Sequence, residues 1–309
     1  MLDMILDSLR VISIPTKTNF RGINQREVAL FKGPQGWAEF SPFLEYDDKE
    51  SAPWLMCAVE AATLPTPTLL RNQIQVNATL PAINGESEIA RILSAFAGCT
   101  TIKIKVGDNY DQDLERINTV RKLVAHAKIR IDVNGLWNVE QAHQFLKNCG
   151  EIEYVEQPCA TIEELRALKK LMDITIVGDE ILRKTADPFA INFEGAIDVL
   201  MLKVQPLGGI RRAIKIAEHH KLPVVVSSAL ESAVGIMYGL KLAATLPNLV
   251  GACGLATGSL LSANVAQLPI INAAIAITEI EPEFDGLEVA SDRFEWWKNR
   301  IMRTAELLK

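Results

Sequence analysis

Short β-rich apolar runs recur along most of the chain at a nearly constant interval: residues 76–80, 101–106, 129–133, 153–156, 175–177, 199–203 and 224–227, with a weaker eighth at 251–253. Their starts fall about 24 residues apart, the length that one strand, one helix and two short loops occupy. Between them apolar residues return at helical spacing over 112–126, 139–146, 162–172 and 210–219,. Eight such units in series predict an α/β fold of the TIM-barrel type. An open doubly wound sheet is the competing architecture. It carries a glycine-rich GxGxxG after its first strand, whereas here residues 76–80 lead into Pro-Ala-Ile-Asn-Gly,.

Residues 1–75 do not share this rhythm. Alternating stretches at 10–14, 27–31 and 36–40 predict a small meander, and 51–63 a helix stopped by Leu-Pro-Thr-Pro,. After residue 260 the βα rhythm fades, and 292–309, with Trp296 and Trp297, predicts one terminal helix. The expected organisation is an α+β unit over 1–75, a barrel over 76–260 and a segment over 261–309 that packs back on both. A barrel with short βα loops needs something else to close its site. The α+β unit is therefore expected to cap the barrel mouth, with the two tryptophans helping to dock it.

Strand parity then sorts the polar residues. Side chains alternate across a strand, and barrel chemistry collects at strand C-terminal ends. In Ile102-Lys103-Ile104-Lys105-Val106 the apolar residues face the helices and both lysines point inward; in Ile131-Asp132-Val133-Asn134 the same parity turns Asp132 and Asn134 inward. Glu156 ends the fourth strand, Asp179 follows the fifth and Lys203 ends the sixth. The steps from Asp132 to Glu156, Asp179 and Lys203 are 24, 23 and 24 residues, each one βα unit. A single strand-end acid is more often a helix cap than a ligand, and an inward lysine without a partner is costly to bury. Three acids in one layer repel one another unless a cation lies between them. An all-oxygen set of this kind suits a hard divalent ion, Mg²⁺ first and Mn²⁺ second. Lys105 and Lys203, on opposite sides of the acid strands, then suit proton abstraction next to a carboxylate, with a neutral lysine as base.

Composition narrows the partners. The chain has 309 residues, 49% of them hydrophobic and 23% charged, and a formal charge of -6. It can bury a large core, and without a basic excess it is a poor match for nucleic acid or an anionic membrane. No apolar run reaches the roughly 18 residues of a membrane span, and the first ten residues carry acids where a signal peptide carries bases, so a cytoplasmic protein is expected. Five cysteines without CxxC spacing predict buried free thiols rather than disulfides or zinc, and His219-His220 reads as a helix end,. Oligomeric state is left open.

The set Lys103-Ile104-Lys105, Asp132-Val133-Asn134, Glu156-Gln157-Pro158, Gly178-Asp179-Glu180 and Lys203 resembles the enolase superfamily, in its muconate-lactonising-like branch. That resemblance implies a modified (β/α)7β barrel with an N-terminal capping domain completed by the C-terminal segment. Segments 39–46, 76–82, 227–232 and 252–258 are most similar to the o-succinylbenzoate synthase family of menaquinone biosynthesis. For this chain the likeness implies a Mg²⁺-dependent syn dehydration of a small carboxylate. Asp132, Glu156 and Asp179 are then the metal ligands, Lys105 the base and Lys203 the charge on the other face. Substrate contacts are implied for Lys103, Arg21, Asn134, Ser227, Ser228, Thr257, Gly258 and Ser259. The stretch 16–22 reads as a short loop near the site. Racemases and epimerases of the superfamily share the polar set and are the alternative. A Schiff-base aldolase using Lys203, and a barrel serving as a binding scaffold, are more distant rivals.

Overall fold

The protein is described by a computed structural model covering residues 2–308. Helix α1 (Leu2–Ser8) precedes an antiparallel sheet of β1 (Arg10–Phe20), β2 (Ile23–Gly33) and β3 (Gly36–Phe40), followed by helix α2 (Asp48–Thr63). The side chain of Asp47 caps α2 by accepting from Glu50 N (2.7 Å), which satisfies one of the helix's orphan donors,. Val11, Ala29, Phe31 and Phe40 from the sheet meet Trp54 and Leu55 of α2 in this unit's interior.

The stretch expected as a loop at 16–22 is instead the end of a hairpin. Phe20 pairs with Ile23 across a two-residue turn in which Arg21 (φ 54) and Gly22 (φ 79) are both left-handed, the geometry that matches strand twist,. Its residues are too polar to announce a strand, and their partners are remote in sequence. Thr16 bridges Leu261, Ser262 N donates to Pro15 O (2.9 Å) and Lys17 Nζ donates to Ser259 O (2.8 Å).

The barrel follows β4 (Gln73–Gln75). Strands β5 (Ala78–Leu80), β6 (Thr101–Lys105), β7 (Lys128–Asp132), β8 (Tyr154–Glu156), β9 (Ile176–Gly178), β10 (Val199–Lys203) and β11 (Val224–Ser227) form one parallel sheet in sequence order. Helices α3 (Glu86–Leu93), α4 (Tyr110–Leu123), α5 (Val139–Asn148), α6 (Ile162–Leu171), α7 (Glu180–Arg183), α8 (Ile210–His220) and α9 (Ala233–Thr245) lie between or after them. The expected eighth strand is not a regular one. Residues 249–254 nevertheless bond both sheet edges: Gly254 N to Val226 O (2.9 Å) on one side, Cys253 N to Gln75 O (2.7 Å) and Asn77 N to Cys253 O (2.9 Å) on the other. That closes the barrel with backbone rather than with a strand.

Strand β12 (Ala274–Ala276) pairs with β4, and helix α10 (Ser291–Glu306) packs on α1 and α2. Trp297 is fully buried there, edge-on to Phe40 (6.0 Å), with Nε1 donating to Glu27 (2.7 Å). Trp296 stays partly exposed under the Arg293 guanidinium (4.0 Å). Neither tryptophan docks cap to barrel; α10 completes the cap's own core. Docking is by an apolar face, Ile12, Ile14, Val28, Leu30 and Cys57, which joins the barrel's core, and by polar contacts that include two cap acids. Glu60 accepts from Ile210 N (2.7 Å) and Tyr238 OH (2.8 Å), and Glu39 from Ser232 Oγ (2.5 Å) and Gly235 N (3.0 Å). Each carboxylate thus sits at a barrel-helix N-terminus, where the helix dipole favours negative charge. Gly209 (φ 112) is required beside the first, because a Cβ there would lie 2.8 Å from the Glu60 carboxyl carbon,. Among the described residues no helix is long and apolar enough to cross a membrane.

Burial, reinforced by the Glu39 carboxylate, pushes the neighbouring Glu231 carboxyl up to about 7 from its ordinary 4.5. Within that window the folded chain holds a proton that the unfolded chain has lost. Its contribution to stability is complete below the window and declines as pH rises through it. Glu231→Gln keeps an acceptor for the Ala229 N–H (2.6 Å) and removes the titration. The variant is expected to melt several degrees above the parent at pH 8 and close to it at pH 4.5. A calorimetric shift equal at both pH values would reject the cause given.

Candidate active site

Each charged group reaches the barrel mouth by the same construction, an inward position at or just past the end of a strand. Register places Lys105, Asp132 and Glu156 side by side on β6, β7 and β8. Lys203 and Ser227 are likewise neighbours on β10 and β11. The helix-facing partners Ile102, Ile104, Ile131, Leu200 and Leu202 are buried in the core, as parity requires.

All three acids are at most 2% exposed. Lys103 Nζ lies 3.0 Å from Glu156 Oε2 and 3.2 Å from Asp132 Oδ2. Lys105 Nζ bonds Asp132 Oδ2 (2.7 Å) and Asn134 Oδ1 (2.5 Å), while Lys203 Nζ bonds Asp179 Oδ2 (2.6 Å). Arg183 donates through Nε to Asp179 Oδ1 (3.1 Å) and through a terminal nitrogen to Glu180 Oε1 (2.6 Å). Four acidic groups (Asp132, Glu156, Asp179, Glu180) thus interleave with four basic ones (Lys103, Lys105, Lys203, Arg183).

The protonation states follow from this packing. Burial works against the Lys103 ammonium, but Glu156 and Asp132 outweigh it and hold the group above the usual lysine range. Burial likewise opposes the charge on Asp132 and Asp179. Lys105 with Lys103, and Lys203 with Arg183, reverse that and hold both carboxyls well below the ordinary range. Glu156 is different: burial and the adjacent Asp132 charge push it up to about 7. Lys103, walled in at 6% exposure, stays a cation. Lys105, with a side chain 23% exposed, is more open than Lys103 or Lys203.

Among the described residues no three acidic, histidine or cysteine side chains converge closely enough to ligate an ion, because lysine ammoniums stand between the carboxylates. The donor chemistry nevertheless fits a hard divalent ion. Asp132 Oδ1 is buried with no hydrogen-bond partner, and the three acids present oxygen only,. Asn134 (φ 55) and Gln157 (φ 41) hold left-handed backbone beside these acids. Gln157 repays that strain by accepting from Asp179 N (3.0 Å) and Ile181 N (3.3 Å), fixing the turn that presents Asp179,.

A cavity of about 220 Å³ gathers Lys103, Lys105, Asp132, Asn134, Lys203, Ser227, Ser228 and Thr257 with Arg21 from the cap. Gly258 and Ser259 do not face it; they border a separate cavity of about 240 Å³. A larger one, about 450 Å³, lies between the β2–β3 turn and α9, away from both lysines. The site cavity also includes residues to which the sequence assigned no role: Phe20, Phe43, Tyr46, Trp54, Thr79, Glu180, Arg183, Lys184, Pro206 and Ala229. Glu180 was within reach, being next to Asp179 in the quoted motif. Cap and barrel residues sharing one cavity put the cap at the C-terminal mouth of the strands.

Residues 11–62 match the family model described as "Enolase N-terminal domain-like" and residues 88–273 that described as "Enolase C-terminal domain-like". The chain is 45% identical to the o-succinylbenzoate synthase of Mycobacterium ulcerans (98% of this chain, 95% of the relative). It is 43% identical to that of Mycolicibacterium smegmatis (97% and 96%). Among solved structures it resembles the L-Ala-D/L-Glu epimerase of Bacillus subtilis (TM-score 0.73, 23% identity, 87% of this chain and 95% of that one). It also resembles the muconate lactonizing enzyme of Pseudomonas putida (TM-score 0.70, 19% identity, 93% and 97%). At such identities the last two speak to fold alone.

Proposed function

The chain belongs to the enolase superfamily and, within it, to the o-succinylbenzoate synthase family, and from that membership we propose that its lysine pair removes water from 2-succinyl-6-hydroxy-2,4-cyclohexadiene-1-carboxylate. The product is 2-succinylbenzoate, and the enzyme is a lyase. What carries the reading at the site is the placement of Lys105 and Lys203 across one cavity, beside three buried acids.

Lys105 Nζ takes the ring proton next to the carboxylate, and the electron pair left behind spreads onto that carboxylate. Its return expels the hydroxyl, which leaves as water with the proton carried by Lys105, and the ring becomes aromatic. Base and acid being one group, the proton and the hydroxyl leave from the same face. Lys203 stays cationic on the other face, where it opposes the charge that develops and lies against the ring. Lys103, locked between Glu156 and Asp132, cannot serve as the base and supplies fixed charge near the carboxylate. Ser228, whose Oγ bonds Gly254 O (2.6 Å) and Thr257 Oγ1 (2.8 Å), and Ser227 line the wall for the succinyl tail.

Asp132, Glu156 and Asp179 would hold one Mg²⁺, which would supply positive charge for the substrate carboxylate. Arg21 and Asn134 complete the anion-facing rim. The substrate is a small carboxylate, the setting cytoplasmic, and the working division is 1–75, 76–260 and 261–309.

The test is conversion of the cyclohexadiene substrate with and without Mg²⁺, followed by proton NMR. Appearance of 2-succinylbenzoate only with the ion supports the reading. Racemisation of an N-acylamino acid without dehydration would replace it by the superfamily alternative.

A further inference from the structure

We propose that Tyr46, a cap residue, is a positioning residue for the acids and lysines of the barrel, acting through Arg183; the inference rests on the functional reading above.

The Tyr46 hydroxyl oxygen lies 2.9 Å from a terminal nitrogen of Arg21 and 3.4 Å from one of Arg183. A guanidinium only donates, so the oxygen accepts from both and both of its lone pairs are engaged. Arg21 stands at the tip of the β1–β2 hairpin, also stacked over Phe43 (4.1 Å), so one hydroxyl joins the cap's outermost turn to α7 of the barrel.

From Arg183 two routes run inward. One passes through Asp179 to Lys203, by contacts of 3.1 and 2.6 Å. The other passes through Glu180, then Asn134, whose Nδ2 donates to Glu180 (3.1 Å), and reaches Lys105 (2.5 Å). Arg183 is therefore a fork that reaches a partner of each lysine, Asp179 for Lys203 and, through Glu180, Asn134 for Lys105. It reaches its three acceptors from three separate nitrogens of one plane, a spread that the single nitrogen of a lysine does not have,. Helix α7 has only four residues; Gln157 holds its backbone at Asp179 N and Ile181 N, and the Arg183 fork joins the two side chains, Asp179 and Glu180, that leave it.

Tyr46 is itself held from behind. Arg300 of α10 donates to Tyr46 O (2.6 Å), Phe43 O (3.0 Å) and Ser51 Oγ (2.9 Å), and the ring sits edge-on to Phe43 (5.7 Å) and Trp54 (6.2 Å). The hydroxyl is thus presented by a loop tied to α10 and packed on α2. Partners that orient ligands in this way typically govern metal affinity about 10–100-fold when removed.

Tyr46→Phe keeps the ring packing and deletes the link. Titration of the metal-free protein with Mg²⁺ by calorimetry should show affinity about tenfold weaker, with the melting temperature of the metal-free protein unchanged. With substrate, kcat should fall more than KM rises. Arg183→Met should lose more Mg²⁺ affinity, and the double variant no more than Arg183→Met alone, because the two act in series. Unchanged Mg²⁺ affinity in Tyr46→Phe, or additive losses in the double variant, would overturn the proposal. A parent protein that neither binds Mg²⁺ nor dehydrates the substrate would instead overturn the functional reading.

Discussion

Lys105→Ala is expected to abolish dehydration, with a loss of about 10⁴-fold, the upper range for removal of a general base, and to stop exchange of the ring proton with solvent deuterium. Both losses follow from one group carrying the proton in and out. Lys203→Arg is expected to behave differently in kind. It keeps a cation at the Asp179 carboxylate, now 2.6 Å from the lysine nitrogen, although its planar fork differs from an ammonium,. Dehydration should persist at a level reduced by about 10²–10³-fold, the scale of a misplaced stabilising charge. The separation has a structural basis. Lys105 has two oxygen partners and the more open side chain, whereas Lys203 is pinned to an acid that Arg183 also holds. Deuterium exchange surviving in Lys105→Ala but lost in Lys203→Arg would exchange the two roles. Equal loss in both would point to two bases and to racemisation.

The acid layer was legible because two periodicities coincide. Parity along β6 and β7 turns Lys103, Lys105, Asp132 and Asn134 to one side, and the repeat of one βα unit brings Glu156, Asp179 and Lys203 to the same mouth. Local patterns of this sort fail where partners are distant. The outer half of the hairpin, Thr16 to Phe20, has no apolar alternation because it bonds to residues 259–262 rather than to a core. Helix α9 carries no amphipathic periodicity for the opposite reason. Wedged among β11, α8 and β3, it is buried on nearly every side and shows no polar face,. The last stave of the barrel is bonded at both edges without forming a strand, so its β signal is weak. Gly258 and Ser259, which follow the eighth stave and for which the likeness implies substrate contacts, lie in a 3₁₀ turn over Thr257–Leu260 that faces them to a separate cavity. Arg183 and Tyr46 had no signal at all, since 137 positions separate them. What unites these misses is contact order: spacing reports what a strand or helix does by itself, and the cap's contribution is wholly non-local.

Asp179→Asn is expected to separate metal binding from folding. In the metal-free chain its two oxygens answer Lys203 and Arg183, all with side chains no more than 12% exposed. The amide keeps one acceptor and loses the charge, leaving Lys203 without its acidic partner and Arg183 with Glu180 alone. Breaking buried pairs in this way costs about 3–5 kcal/mol, so the metal-free variant should melt well below the parent. The parent itself should survive chelation folded, because each site acid already has a basic partner, and should lose only its activity. Adding Mg²⁺ should raise the parent's melting temperature through mass action on the folded state, by an amount set by the ratio of free ion to Kd. In Asp179→Asn that rise should vanish over the same Mg²⁺ range, and calorimetric affinity should drop by about 100-fold, the loss that removing even a supporting partner can reach. An unchanged Mg²⁺-dependent rise in Asp179→Asn would remove it from the ligand set. The unpartnered Asp132 Oδ1 and the Glu156 carboxyl, raised to about 7, would then be left to account for the ion without it.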